Sequence, residues 1–363
     1  MNGRPVVSKR SNARSGDHAD LPRASESPLS EVYDAALLDL DGVVYLGGAA
    51  IPKAPEALAA ARQQGMQLAF VTNNASRTPS AIAAELNQLG VPADPSEVVT
   101  SAQAAAHLIA DKVPPGAAVL VVGGMGLRQA LRERGLRPVS TAAEKPAAVV
   151  QGYAAGVDYG LLAEGALAVR AGAFFVASNA DATLPTARGL QPGNGSMVQV
   201  IATATGTEPV VAGKPEPPLH AETVARTGAK RPLVVGDRLD TDIEGACRVG
   251  ADSMLVLTGV SKPADAVLAA PDQRPSYLAH DLSGLLEPHP PVIATDGEFR
   301  CGGWTARRRP VQANNDDDAD RLEIDGSGAA IDGLRALCGA AWSGGAVTAD
   351  SVTSAVGSLR FPG

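Results

Sequence analysis

The chain has 363 residues, of which 45% are hydrophobic and 19% charged, enough apolar material for two or three domains. Aromatics make up only 3% and the formal net charge is −8, which argues against a basic, aromatic-lined nucleic-acid surface. Cys247, Cys301 and Cys338 are too scattered for a disulfide framework or zinc site, no apolar run reaches the roughly 18 residues of a membrane helix, and the polar N-terminus is no secretory signal, so a cytoplasmic protein is expected.

Residues 1–30 carry no hydrophobic period and read as a disordered tail. Order is expected from Tyr33. A buried strand over 35–38 is followed by a proline-started helix over 52–64, a second buried strand over 67–71 and a helix over 78–89. This βαβα rhythm predicts a parallel sheet covered on both faces, with residues 31–90 as its first part. After Gly90 the pattern starts afresh. A helix over 98–110, strands over 118–122, 147–150 and 174–177, and helices over 127–134 and 159–171 predict an inserted α/β unit spanning 91–195. Residues 196–289 return to the first sheet through strands near 209–211, 232–235 and 253–256. From about Pro290 the texture turns rich in Gly, Ala and Asp, with an Asn-Asn-Asp-Asp-Asp run at 314–318 read as a solvated loop tip and a helix over 329–341. Residues 290–363 are read as a small appended module.

Four strand ends carry polar groups. Leu37-Leu38-Asp39-Leu40-Asp41-Gly42 runs an apolar strand into two carboxylates, which can divide nucleophilic and proton-transfer work. Taken alone, the pair also fits a solvated turn. Phe70-Val71-Thr72-Asn73-Asn74 ends a second strand in a hydroxyl and two amides, suited to phosphate oxygens or to simple helix capping. Val211-Ala212-Gly213-Lys214-Pro215 holds a lysine at a loop, where it either reaches the sheet edge or stays on the surface. Val235-Gly236-Asp237-Arg238-Leu239-Asp240-Thr241-Asp242 adds oxygen ligands of the kind Mg²⁺ prefers. Val122-Gly123-Gly124-Met125-Gly126 opens a helix after a strand but lacks the full dinucleotide-binding spacing, and reads as a tight turn.

The four segments together resemble motifs I to IV of the haloacid dehalogenase superfamily over about residues 33–287. That resemblance implies a Rossmann-like α/β core with an inserted cap. It makes Asp39 a nucleophile that forms an aspartyl-phosphate, Asp41 the general acid/base and Lys214 the stabilising cation. Thr72, Asn73 and Asn74 become phosphate binders. Mg²⁺ would be held by Asp39, Asp237 and the Asp41 backbone carbonyl, with Asp242 holding metal waters. Asp39 and Thr72 lie 33 positions apart and Thr72 and Lys214 142 apart, so only the second gap has room for a cap. This placement is similar to subclass IIA, the p-nitrophenyl-phosphatase-like group that includes phosphoglycolate and glycerol-phosphate phosphatases. Asn179 and Asp181, in Ser178-Asn179-Ala180-Asp181, then line the site or cap the following turn. The implied activity is Mg²⁺-dependent hydrolysis of a small phosphorylated metabolite. Glycerol 3-phosphate is the first choice, with phosphoglycolate, pyridoxal phosphate or a nucleoside monophosphate as alternatives and a non-catalytic phosphometabolite sensor as the other class. A homodimer through the cap is implied, and no nucleic-acid or membrane partner. In relatives with a C-terminal extension, that extension resembles a GCN5-type acetyltransferase fragment; here no acetyl-CoA pyrophosphate loop is found in 290–363.

Overall fold

The computed structural model of the chain describes residues 21–186, 188–310 and 319–361; most of the expected tail and the acidic run at 314–318 lie outside them. Among the described residues, two parallel sheets and a four-stranded antiparallel sheet carry the architecture, beside two antiparallel two-stranded hairpins. The first has six strands in the order Tyr277–Ala279, Asp252–Val256, Pro232–Gly236, Ala35–Leu38, Gln67–Thr72, Val98–Thr100, all parallel. Its central strands are buried apolar runs, as expected when helices cover both faces. The strand order reverses between Ala35–Leu38 and Pro232–Gly236, and ligands bind beyond the C-terminal strand ends at such a reversal.

The second sheet, Val210–Val211, Phe174–Ala177, Ala148–Gln151, Ala118–Val122 and Arg137–Val139, is also parallel. It reverses between Ala118–Val122 and Ala148–Gln151. Its limits differ from the expected 91 and 195. Val98–Thr100, expected as the start of a helix, is an edge strand of the first sheet. Three β-branched residues favour extension there, and Thr100 caps the helix Ser101–Ala110 in a reciprocal box with Gln103. At the other end the helix Asn194–Thr205 packs on Tyr159–Arg170, and Val210–Val211 still pairs in the second sheet.

The two parallel sheets share one apolar cluster. It runs from Leu37, Val71, Val99 and Val234 to Val119, Val121, Val150 and Val176. Buried Glu222, in the helix Pro217–Thr227, pins this joint by accepting from Arg134 and Arg226 and pairing with His107. Desolvation opposes its charge, yet these partners hold the Glu222 carboxyl below the usual range.

The described residues of 290–363, expected as a small appended module, fold into strands and helices packed beside the first sheet. Strands Ile293–Thr295, Glu298–Cys301, Trp304–Arg309 and Arg321–Gly326 form an antiparallel meander, followed by helices Ala330–Trp342 and Ala349–Gly357. Phe299, Trp304, Leu337 and Trp342 share a cluster with Ile243, Leu255 and Leu278 beside the first sheet. Arg335 donates to the Leu278 carbonyl at 2.6 Å, and the Trp342 indole donates to the Ala266 carbonyl at 3.2 Å. The stretch 21–30 corrects the reading of a wholly disordered tail. Leu29 is fully buried, Ser25 bridges to His289, and Arg23 pairs with Asp252 at 2.7 Å.

Candidate functional site

Asp39 follows Leu38 and Asp237 follows Gly236, so the two acids flank the reversal point of the first sheet. Asp242 enters from the turn Leu239–Ile243. One oxygen from each of Asp39, Asp237 and Asp242 lies within 4.8 Å of the others. Lys214, only 4% exposed, inserts its Nζ between Asp39 Oδ1 at 2.6 Å and Asp242 Oδ1 at 2.7 Å. The second Asp242 oxygen accepts from the Arg238 backbone N–H at 3.1 Å. Both Asp242 oxygens are therefore engaged by the protein.

Asp237 is held differently. Oδ2 accepts from Val260 N at 2.6 Å, while Oδ1 is buried with no hydrogen-bond partner. A buried, unpartnered carboxylate oxygen beside two further carboxylates is a hard-oxygen donor set that fits Mg²⁺. The electrostatics agree. Burial raises the Asp237 carboxyl to about 6, with Asp242 adding to the effect. Burial also holds Asp39 well above the usual range against the opposing Lys214 charge. For Lys214 burial works toward neutrality, but Asp242 and Asp39 outweigh it and keep the ammonium charged.

Asp41 stands at the open side of the cluster, solvent-accessible but crowded by protein. Desolvation raises its carboxyl, with Lys214 opposing and Glu85 reinforcing. The turn that presents it depends on Gly42, at φ +82°, whose missing Cβ would sit 2.5 Å from Asp237 Oδ2. Thr258 Oγ1 closes the same turn by donating to the Gly42 carbonyl at 2.6 Å.

The amides expected at phosphate are held by the protein's own groups. Asn73 Oδ1 accepts from Lys214 N at 2.8 Å, and Nδ2 donates to the Lys214 carbonyl at 3.1 Å. The Asn73 side chain is thus a clip on the lysine backbone. Asn74 Oδ1 accepts from Ser76 N and Oγ at 2.9 and 2.7 Å, and Thr72 Oγ1 accepts from Asn74 N at 3.1 Å. Asn179 and Asp181 reach this loop from the second sheet. Asn179 Nδ2 donates to the Asn73 carbonyl at 2.7 Å, and Asp181 Oδ2 lies 3.3 Å from Asn73 Nδ2. Asn194, given no site role by the sequence, donates to the Asn179 carbonyl at 2.7 Å. The loop 257–261 is a second omission: its Thr-Gly pair after an apolar strand was the available signal, with the Thr258 hydroxyl closing the Gly42 turn, but the contact to Asp237 comes from the Val260 backbone N–H, which side-chain identity does not reveal.

Relatives share this arrangement of elements. The profile of haloacid dehalogenase-like hydrolases matches residues 36–137, and a HAD-hydrolase-like profile matches 211–285. The chain is 47% identical over 317 residues to D-glycerol 3-phosphate phosphatase of Mycobacterium tuberculosis, covering 86% of this chain and 87% of that one. It is 40% identical over 234 residues to a 5'-nucleotidase of Bacillus subtilis, covering 64% and 90%. The crystal structure of the M. tuberculosis glycerol phosphate phosphatase in complex with magnesium matches with a TM-score of 0.80 at 41% identity, covering 92% of this chain and 99% of that one. With its carboxylates and lysine gathered at the reversal point of a parallel sheet, and with identity of this extent to a phosphatase of the same architecture, the chain belongs to the haloacid dehalogenase-like hydrolases.

Proposed function

We propose that this protein is a Mg²⁺-dependent phosphomonoesterase whose substrate is glycerol 3-phosphate, hydrolysed to glycerol and phosphate. The observation that carries the reading is Lys214 Nζ bonded at once to Asp39 and Asp242 beside the unpartnered Asp237 oxygen. It is supported by the 47% identity to a D-glycerol 3-phosphate phosphatase.

Asp39 attacks phosphorus, and the bond from phosphorus to the alcohol oxygen breaks. Asp41, whose carboxyl is raised by desolvation, gives its proton to the departing alkoxide. Water then attacks phosphorus while Asp41 takes a proton back, the bond from phosphorus to Asp39 breaks, and inorganic phosphate leaves with the Asp39 carboxylate restored. Lys214 fixes Asp39 and offers charge to the phosphoryl oxygens, and the 72–74 loop supplies hydrogen-bond donors. Positioning and electrostatic stabilisation are the main demands of such a transfer. Asp39, Asp237 and the Asp41 carbonyl would hold the Mg²⁺, with Asp242 orienting its waters. Once bound, the ion supplies positive charge against the repulsion between phosphate and carboxylate. The second sheet acts as a cap, delivering Asn179 and Asp181 to the leaving-group side. A homodimer is consistent with exposed Leu167, Val200 and Val210 on this unit, and the cytoplasm is its compartment.

Phosphate release from a panel of phosphomonoesters, with Mg²⁺ and with EDTA, tests this. Metal-dependent release dominated by glycerol 3-phosphate is expected. Release spread evenly across the panel would overturn the substrate, and none from any ester would overturn the activity.

A further inference from the structure

A buried hydroxyl that no step above uses holds the loop after Thr72. Thr72 and Thr100 end neighbouring parallel strands in register, so the residues that follow them, Asn73 and Ser101, leave the sheet side by side. Ser101 opens the helix Ser101–Ala110, whose first turn is closed by the reciprocal box of Thr100 and Gln103. Ser101 is fully buried, and its Oγ donates to the Asn73 carbonyl at 2.6 Å. Asn179 Nδ2 donates to the same oxygen at 2.7 Å. A carbonyl oxygen has two lone pairs, and here both are taken.

A trans peptide is planar, with its carbonyl and its N–H pointing in opposite directions. Holding the Asn73 carbonyl therefore aims the Asn74 N–H, which donates to Thr72 Oγ1 at 3.1 Å. Among the described residues this hydroxyl accepts that bond and donates none. Its own proton is left for an acceptor outside the protein. Ser101 thus stands two covalent groups away from Thr72 and still governs which way its hydroxyl can donate.

We propose that Ser101 is a positioning residue: through the Asn73–Asn74 peptide it orients Thr72 so that the threonine hydroxyl donates to a phosphoryl oxygen. This rests on the phosphatase reading above, in which the 72–74 loop supplies donors to phosphate, and adds the group that aims one of them. The effect belongs to the phosphoryl group and is independent of the leaving alcohol, unlike that of Asp41.

The test is a double-mutant cycle between Ser101→Ala and Thr72→Val on the full chain with Mg²⁺. It is read as kcat/KM for glycerol 3-phosphate and p-nitrophenyl phosphate, and as competitive inhibition by inorganic phosphate. Ser101→Ala should lower kcat/KM by about tenfold on both esters, the scale of one hydrogen bond expressed as a rate, and weaken inhibition by phosphate in step. In the Thr72→Val background, where no hydroxyl remains to aim, Ser101→Ala should cost less than about twofold. Ser101→Thr, which keeps the donor, should stay close to wild type. A merely structural role would repeat the same loss in both backgrounds, and that result overturns the proposal. Wild-type kcat/KM in folded Ser101→Ala, or a loss confined to one ester, also overturns it. Should Ser101→Ala not fold, Ser101→Cys, similar in size and a weaker donor, goes through the same cycle with the same criteria. Turnover by wild type in any of these cases leaves the phosphatase reading standing, whereas no phosphate from any ester overturns both.

Discussion

The two parallel sheets are built alike and end differently. Each reverses strand order at its centre and so creates a crevice beyond its C-terminal edge. The first sheet fills that edge with Asp39, Thr72 and Asp237; the second ends its strands in Gly123, Gln151 and Ser178. Glycines and amides bring no net charge, and the second crevice receives the protein's own chain. Gly126 N donates to the Ser76 carbonyl at 3.2 Å, and a Cβ on Gly152 would lie 3.2 Å from the Ala75 side chain. The loop that follows Asn74 is thus seated in the second sheet as a ligand would be. A reversal point makes a crevice; the side chains at its rim decide whether it takes a phosphate or a loop.

The sharpest break in this comparison is to remove the charge from the first edge. Asp39→Asn should lower kcat by about 10⁴-fold or more while the protein folds normally, because a nucleophile is lost with almost no change of volume. Phosphate release and circular dichroism on the same sample check it. Substantial turnover in a folded variant would remove Asp39 from the mechanism. Asp41→Asn should cost less, about 10²–10⁴-fold in kcat, the usual contribution of a general acid/base. The loss should be smallest for p-nitrophenyl phosphate, whose leaving group needs little protonation. Equal losses across leaving groups would contradict proton donation by Asp41.

A smaller effect tests the first edge without any turnover. The Asp237 carboxyl lies near 6 in the folded protein without metal, against 3.8 for an ordinary aspartate. The unfolded chain therefore releases this proton first. Stability contributed by protonated Asp237 is complete below pH ~3.8 and is lost as pH rises through about 6. The penalty at neutral pH is at most about 3 kcal/mol from a shift of this size. In EDTA, Asp237→Asn should melt above wild type at pH 7, with the gap closing toward pH 4. Adding Mg²⁺ should stabilise wild type and leave the variant little changed. A gap independent of pH would mean that Asp237 carries no such strain.

The first edge was legible because each element announces itself locally: an apolar run, then an abrupt polar residue. Asp39, Thr72, Lys214 and Asp237 all follow that pattern, and Lys214 meets Asp39 in the fold. The function of the Asn73 side chain was not legible, since it depends on a backbone 141 positions away. The limits of the second unit were hidden for another reason. Val98–Thr100 and Val210–Val211 are too short to show a period, and which sheet they join is decided by long-range pairing. Leu29 is one apolar residue in a polar stretch, and its burial comes entirely from the core it meets. The third sheet's dependence on the first was invisible for the same reason: Trp342 and Leu278 share no local pattern.

The second edge yields the smallest and most discriminating change, a methyl group. Gly126 lies in the helix Met125–Glu133, where replacing glycine by alanine ordinarily stabilises by about 1 kcal/mol. Here the added Cβ would stand 2.4 Å from the Ala75 carbonyl oxygen and 2.6 Å from that of Arg77. Both are backbone atoms and cannot rotate away. The helix or the loop must move, at a cost of about 1–3 kcal/mol, so the sign of the substitution reverses. Gly160, near the start of Tyr159–Arg170, is the matched control. Its Cβ would meet only Asp158 Oδ1 at 3.4 Å, and Gly160→Ala should raise the melting temperature slightly. Because the displaced loop leads directly from Thr72 and Asn73, Gly126→Ala should also raise KM, while Gly160→Ala leaves it unchanged. Stabilisation by both substitutions would mean that the second crevice does not hold the loop, and the parallel between the two edges would fail.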